Sequence, residues 1–274
     1  MNTPTTAALV PSHLPLRHCL AALLAATATL PLPAGAQQAQ AAAPAPATAP
    51  AAELNPKAIE ALQAMGKYLR SLKAFTVTAD TAVDEVLTSG QKVQFAGKLD
   101  YRVQMPNRLR ADVRSELRQR NFFYDGKTLT QYAPQLKYYA SIAAPGTIAD
   151  VLQAADQKFG LQVPLSDLFF WGTDKAGIDD VKSALFVGPA KVGGLDCDHY
   201  AYRQANVDWQ VWIAKGKNPL PCKLVVTTTD EPSQPQYTAT LKWDVASAIP
   251  ASTFAFAPPA GAKKIEIAPL SAAK

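Results

Sequence analysis

From Phe75 onward the chain alternates apolar and polar residues with a period of two, and few folds can accommodate so long a run of that pattern. Phe75, Val77, Ala79 and Val83 alternate with Thr76, Thr78, Asp80 and Asp84. Val93, Phe95, Leu99, Tyr101, Val103 and Met105 alternate with Gln94, Lys98, Asp100, Arg102 and Gln104, and Leu109, Ala111, Val113 and Leu117 face Arg110, Asp112, Arg114, Glu116 and Arg118. Strand side chains point to opposite faces in turn, so each segment predicts a strand with one greasy and one wet face. Thr88-Ser89-Gly90, Pro106-Asn107 and Asp125-Gly126 punctuate the runs, the Asp-Gly pair being a strong hairpin signal. Strand patterning resumes near Leu185 and continues through residues 197–203, 208–213, 222–229 and 237–243, with a last strand expected at Phe254-Ala255-Phe256. The count is roughly ten or eleven antiparallel strands.

Two segments switch to a helical period. Asn55 is a good N-cap, Pro56 suits the first helical position, and Ile59, Leu62, Met65, Leu69 and Leu72 form one stripe. Beyond Pro145, Ile148, Val151, Leu152, Ala155 and Phe159 form another, followed by Leu165, Leu168, Phe169, Phe170 and Trp171. One-sided strands need a cover, and the helices are the simplest one. The expected fold is α+β: a strongly curved antiparallel sheet, an open half-barrel, with helices over its concave face. The expected interior lining is Phe75, Val77, Phe95, Leu99, Tyr101, Val103, Val113, Leu117, Trp209, Val211, Leu241 and Trp243. Ile148, Val151, Leu152, Phe159, Leu168 and Phe169 form the expected lid. Such an interior is either left open as a lipid-sized cavity or filled by side chains, and the pattern admits both.

The first residues read as an export leader. Arg17 and His18 precede an apolar run from Cys19 to Leu30, and Ala34-Gly35-Ala36 is a small-x-small cleavage pattern. That run is too short for a bilayer, which needs about twenty residues. The expected organisation is a signal peptide over 1–36, an Ala/Pro-rich disordered linker over 37–54, a folded domain over 55–267 and a flexible tail over 268–274. The chain carries 27 Lys and Arg against 22 Asp and Glu, a net charge of +5. With no basic stripe interleaved with aromatics, nucleic-acid binding is not expected.

Chemistry-bearing residues are sparse. His199 is the one histidine beyond the leader, and strand parity puts it on the face shared by Cys197, Ala201 and Arg203. Residues two apart on a strand lie about 7 Å from each other, too far for Cys197 and His199 to act as thiol and base. No metal-ligand spacing, phosphate loop or nucleophile elbow is present, so no catalytic residue, metal or cofactor is expected. Trp209 shares parity with Val211 and Ile213 as lining, while Trp212 falls on the wetter face. Cys197 and Cys222, the cysteines beyond the leader, are either a disulfide or two buried thiols. In a simple meander they sit one strand apart, about 9–10 Å, and bond only if the loop before Cys222 folds over the intervening strand.

The helix, the meander broken by Pro-Asn, the Asp125-Gly126-Lys127 hairpin, the helical insertion and the closing Phe-x-Phe-x-x-Pro resemble the outer-membrane lipoprotein carrier superfamily of periplasmic half-barrels. Within it, residues 197–204 (Cys-Asp-His-Tyr-Ala-Tyr-Arg-Gln), 208–213 (Asp-Trp-Gln-Val-Trp-Ile) and Pro219-Leu220-Pro221 with Lys223 resemble a family of predicted periplasmic proteins known as a domain of unknown function. The resemblance singles out Cys197, His199, Arg203, Asp208 and Trp212 as a motif patch. It implies a non-enzymatic periplasmic protein whose half-barrel holds an acyl chain, another apolar small molecule, or a lipidated or amphipathic partner. The alternative is an envelope sensor or scaffold using the same fold to bind a protein. Carriers of this kind often place a basic latch residue just before the Pro-Asn; here that position is Met105.

Overall fold

The computed structural model describes residues 53–270. The expected leader, the linker up to residue 52 and the last four tail residues lie outside the described residues. Helix α1 (Pro56–Ser71) begins where its cap dictates, the Asn55 side chain accepting the Lys57 backbone N–H at 3.0 Å. It buries Ala58, Leu62, Met65 and Leu69 along one face.

A first antiparallel meander follows: β1 (Ala74–Val86), β2 (Lys92–Gln104), β3 (Arg108–Ser115), β4 (Gln119–Tyr124), β5 (Thr128–Ala133) and β6 (Tyr138–Ala143). Helices α2 (Ile148–Phe159) and α3 (Asp167–Phe170) interrupt it. A second meander comprises β7 (Ser183–Val192), β8 (Leu195–Arg203), β9 (Val207–Ala214), β10 (Pro221–Thr228) and β11 (Gln236–Asp244), and a short β12 (Lys263–Lys264) comes last. The 12 strands form one open, curved sheet in the order β12-β6-β5-β4-β3-β2-β1-β11-β10-β9-β8-β7. β1 and β11 join the two meanders, Val77 lying opposite Trp243. The helices cover the concave face, as the one-sided strands require.

Two details differ from expectation. Phe254-Ala255-Phe256 is not a strand. Residues 251–254 form a 3₁₀ turn after Pro250, with Phe254 buried. The Phe256 ring settles among Phe123, Tyr132 and Tyr139, with centroids 5.0–5.7 Å away, on the convex face of β4–β6. The terminal strand is instead β12, parallel to β6. Strand β3 also stops earlier than its alternation suggests, because the Ser115 hydroxyl accepts the backbone N–H groups of Leu117 and Arg118 and closes a turn there.

The margins of the domain are tied to the sheet and roof. The Ala184 N–H donates to Glu53 O at 2.8 Å and Asn55 N–H to Ala184 O at 2.9 Å, while Leu270 N–H donates to Lys158 O at 2.8 Å.

Candidate functional site

The register brings most of the expected lining onto one face. Phe75 pairs with Val103, Val77 with Tyr101 and Ala79 with Leu99; Ala79 also meets Leu241, and Tyr200 meets Val211 and Tyr202 meets Trp209. Phe75, Val77, Leu99, Tyr101, Val103, Trp209, Val211 and Leu241 are all buried there, with Val113 and Trp243 half-buried against them. Phe95 lies on the same face opposite Val83, outside the main buried cluster. Leu117 is not lining: the Ser115 turn lifts it off the sheet and leaves it 47% exposed.

The roof is the α2–α3 segment. Ile148, Val151, Leu152, Leu168 and Phe169 are buried and Phe159 is half-buried. Of the two states the pattern admitted, the structure adopts the filled one. Met65, Leu69, Phe75, Val77, Tyr101, Val103, Phe169 and Val211 each have 0% exposed surface, so no water-sized void touches them. Trp171 from the roof stacks over Trp209 at 6.0 Å, and Trp209 on Tyr202 at 4.2 Å, giving a three-ring column from roof to sheet. Two clefts lie at the margins. One of about 340 Å³ opens between α1 and the β8–β9 end, with an Asp198–Lys215 ion pair of 3.1 Å among its lining residues. Another of about 270 Å³ sits on the convex face beside Phe256.

Polar pegs fasten this apolar roof to what lies beneath and beside it. The Tyr101 hydroxyl donates to Pro164 O, and the Tyr124 hydroxyl to Gly146 O at 2.6 Å. Arg70, on α1, donates through its two terminal nitrogens to Phe169 O, at 3.0 Å, and to Leu168 O. Tyr202 does the same for α1, donating to Ala58 O at 2.7 Å. Burial pushes the Tyr101 and Tyr202 phenols well above their ordinary range, so they remain donors at any physiological pH. Met105, where the resemblance to carriers leads one to expect a basic residue, is half-buried and apolar. The basic group on the roof's carbonyls comes from α1 instead.

At one point α1 and the roof meet backbone to backbone. A Cβ on Gly66 would lie 2.5 Å from Gly172 N, and one on Gly172, whose φ is +79°, 2.4 Å from Gly66 O. Sequence reasoning passed over Arg70, Gly66 and Gly172. The signal for Gly66 was a glycine inside an otherwise strong amphipathic helix, which calls for a packing reason.

The motif patch assembles on the convex face. His199 of β8, Trp212 of β9 and Lys223 of β10 stand in one cross-strand row. The His199 ring stacks on Trp212 at 3.9 Å and 9°, its Nε2 lies 3.0 Å from Gln210 Oε1, and Lys223 Nζ lies 4.8 Å from the Trp212 centroid. Burial, with Lys223 acting the same way, outweighs the Gln210 hydrogen bond and holds His199 below its ordinary pKa. Arg203 forks onto Asp208 at 2.7 and 2.6 Å. Cys197 and Cys222 are buried free thiols with their sulfurs 3.0 Å apart. Among the described residues no group of three His, Cys, Asp or Glu could hold a metal ion. The patch is a strand-to-strand ladder of stacked and paired groups.

A single open, mostly antiparallel sheet, curved into a half-barrel and roofed on its concave side by helices, defines the structural class. The chain belongs to the family described as predicted periplasmic protein (DUF2092), which matches residues 58–268. No curated protein matches it by sequence. Among solved structures it is similar to LprF from Mycobacterium bovis, with 14% identity, a TM-score of 0.43, and coverage of 72% of this chain and 97% of that one. It is similar to the Mycobacterium tuberculosis lipoprotein LppX, with 11% identity, a TM-score of 0.45, and coverage of 72% and 100%. It is also similar to the LolA superfamily protein NE2245 from Nitrosomonas europaea, with 8% identity, a TM-score of 0.32, and coverage of 73% and 97%. No helix among the described residues is long and apolar enough to cross a membrane.

Proposed function

We propose that this protein is a non-enzymatic periplasmic binder of an apolar ligand, an acyl chain or a lipidated polypeptide, taken up on the concave face when the α2–α3 roof lifts. The observation that carries the reading is the construction of that roof. It lies over a largely apolar sheet face, contributes no strand to the sheet, and hangs on side-chain donors that reach backbone carbonyls at Gly146, Pro164, Leu168 and Phe169. Each tyrosine bond contributes only about 1 kcal/mol net and each Arg70 bond about 1.5–3 kcal/mol, so a ligand that buries comparable apolar area can replace the roof's own side chains. In the closed state the interior is filled, and the ligand therefore substitutes for Leu168, Phe169 and Trp171 rather than entering a standing hole.

Protein purified gently from the cell envelope and extracted with organic solvent should yield acyl species in near-stoichiometric amount by mass spectrometry. A Tyr101→Phe variant should take up an environment-sensitive fatty-acid probe faster than the parent. Lipid-free extracts together with no probe binding by either protein would overturn the reading.

The filled interior favours a second reading, in which the half-barrel is a rigid scaffold for a protein partner. The β7–β8 edge of the sheet leaves Leu185 42%, Val187 55% and Leu195 55% exposed. A crosslinked protein partner recovered without lipid would support it.

A further inference from the structure

We propose that Cys197 and Cys222 are a cross-linking site, joined by a disulfide as the protein matures, so that β8 is tied to β10 across the end of β9. The inference is independent of what the concave face binds.

The obstacle to such a bond in a regular sheet is distance. Strands on either side of a third lie about 9–10 Å apart, beyond the reach of a disulfide. Here the ladder is irregular where it matters. Pro221 pairs with Ile213 and Lys223 with Trp212, so the shift between them leaves Cys222 as the extra residue of a bulge. The residue of β9 opposite Cys197 is Ala214, whose side chain is a single methyl group. Bulge and small residue together let the two sulfurs meet over β9 at 3.0 Å. The carbonyls of Leu195 and Leu220 lie 3.6 and 3.7 Å from the sulfurs, and the Ala214 backbone also hydrogen-bonds Cys222. Among the chain's 3 cysteines, the remaining one is Cys19, within the expected leader, so the mature chain offers no competing pairing.

The chemistry is thiol–disulfide exchange with an oxidised dithiol or glutathione-type disulfide. One Cys sulfur, as thiolate, attacks the oxidant's S–S bond and expels one thiolate. The second Cys sulfur then attacks the mixed disulfide and expels the other. One S–S bond forms in the protein, one is reduced in the oxidant, and the two protons of the Cys thiols end on the oxidant's two sulfurs. The timing follows from burial. Cys197 and Cys222 are 0% and 2% exposed, and burial pushes the Cys222 thiol well above its ordinary pKa, with Cys197 adding to the effect. In the folded, reduced protein the attacking thiolate is scarce and shielded. The bond therefore forms while the β9–β10 region is still closing, and afterwards reductants reach it only through unfolding. It is a permanent staple and not a switch.

The test refolds reduced protein from residue 37 onward, free of the expected leader and its Cys19, with oxidised glutathione, then traps thiols with iodoacetamide under denaturing conditions and maps the peptides. The Cys197 and Cys222 peptides should appear linked, and protein refolded with oxidised glutathione should melt roughly 6–12 °C above protein refolded and kept under reductant. A Cys197→Ser/Cys222→Ser variant should show a Tm indifferent to reductant. Oxidant added after folding should act at least tenfold more slowly than oxidant present during refolding. Both cysteines alkylated in protein refolded with oxidised glutathione, or equal Tm values for the oxidised and the reduced preparations, would overturn the proposal.

Discussion

Helix α1 and the α2–α3 roof both lay an apolar face on the same sheet, yet they are attached in different ways. α1 is continuous in the chain with β1, is preceded by residues paired to β7, and buries a long unbroken face from Ala58 to Leu69. The roof consists of a short helix, a four-residue helix and irregular chain, pinned by hydroxyl and guanidinium groups to its backbone carbonyls. One is part of the body and the other is fastened onto it. The opening proposed for ligand uptake requires both kinds of attachment, since a roof that lifts must leave the sheet intact.

The largest expected effect lies in the cores of the two pieces. Met65→Ala in α1 should lower global stability by about 2–5 kcal/mol, because the cavity it leaves cannot be relieved without unfolding the sheet. Phe169→Ala should instead act mostly by speeding local exchange of roof amides, measured by hydrogen–deuterium exchange, with a smaller change in global unfolding. Equal global losses for the two would erase the distinction between body and roof. Gly172→Ala comes next. Its Cβ would strike the Gly66 carbonyl from a backbone conformation that suits glycine, costing about 1–3 kcal/mol and accelerating exchange through residues 160–176. Slower exchange there would show that the contact strains the roof rather than holding it.

The smallest effect is at the roof's start. Thr147 and Asp150 form a reciprocal capping box on α2, and Lys175 reaches Asp150 at 2.5 Å. Those partners, Lys175 first and then Thr147, hold the Asp150 carboxyl down at about 2. Its folded pKa is below the unfolded value of about 3.9. Its contribution is therefore present above about pH 4 and is lost as pH falls toward 2. Thr147→Ala should cost about 1 kcal/mol and shrink the acid sensitivity of Trp171 fluorescence between those pH values. Because Asp150 is half-exposed, added salt should weaken the same effect. An unchanged acid response in Thr147→Ala would leave α2 capped by something other than this box.

Much of the architecture was legible because alternation reports on sheet faces directly. Every expected lining residue within a strand falls on the concave side, and α2 begins and ends at the first and last residues of its stripe. Leu117 misled because alternation continues through a turn that only the Ser115 hydroxyl reveals. Phe254 and Phe256 misled because two aromatics spaced for a strand instead found a convex-face depression made by residues distant in sequence. The fastening of the roof was hidden for a different reason: its acceptors are main-chain carbonyls, which every residue owns. A tyrosine such as Tyr101 reads as lining until the loop at Pro164 is seen above it. The approach of Cys197 and Cys222 was likewise invisible, since a one-residue bulge leaves no mark on a polar–apolar pattern.

The pairing of β1 with β11 sets the order in which the molecule can be assembled. The first six strands each lean on a neighbour close in sequence and can form as soon as they emerge, but the inner edge of β1 has no mate until nearly the whole polypeptide has been delivered. Contacts between such distant segments are slow to find, and an unpaired edge of this length invites association with other chains meanwhile. Joining of the two meanders therefore waits on β11, the strand that retires this edge of β1.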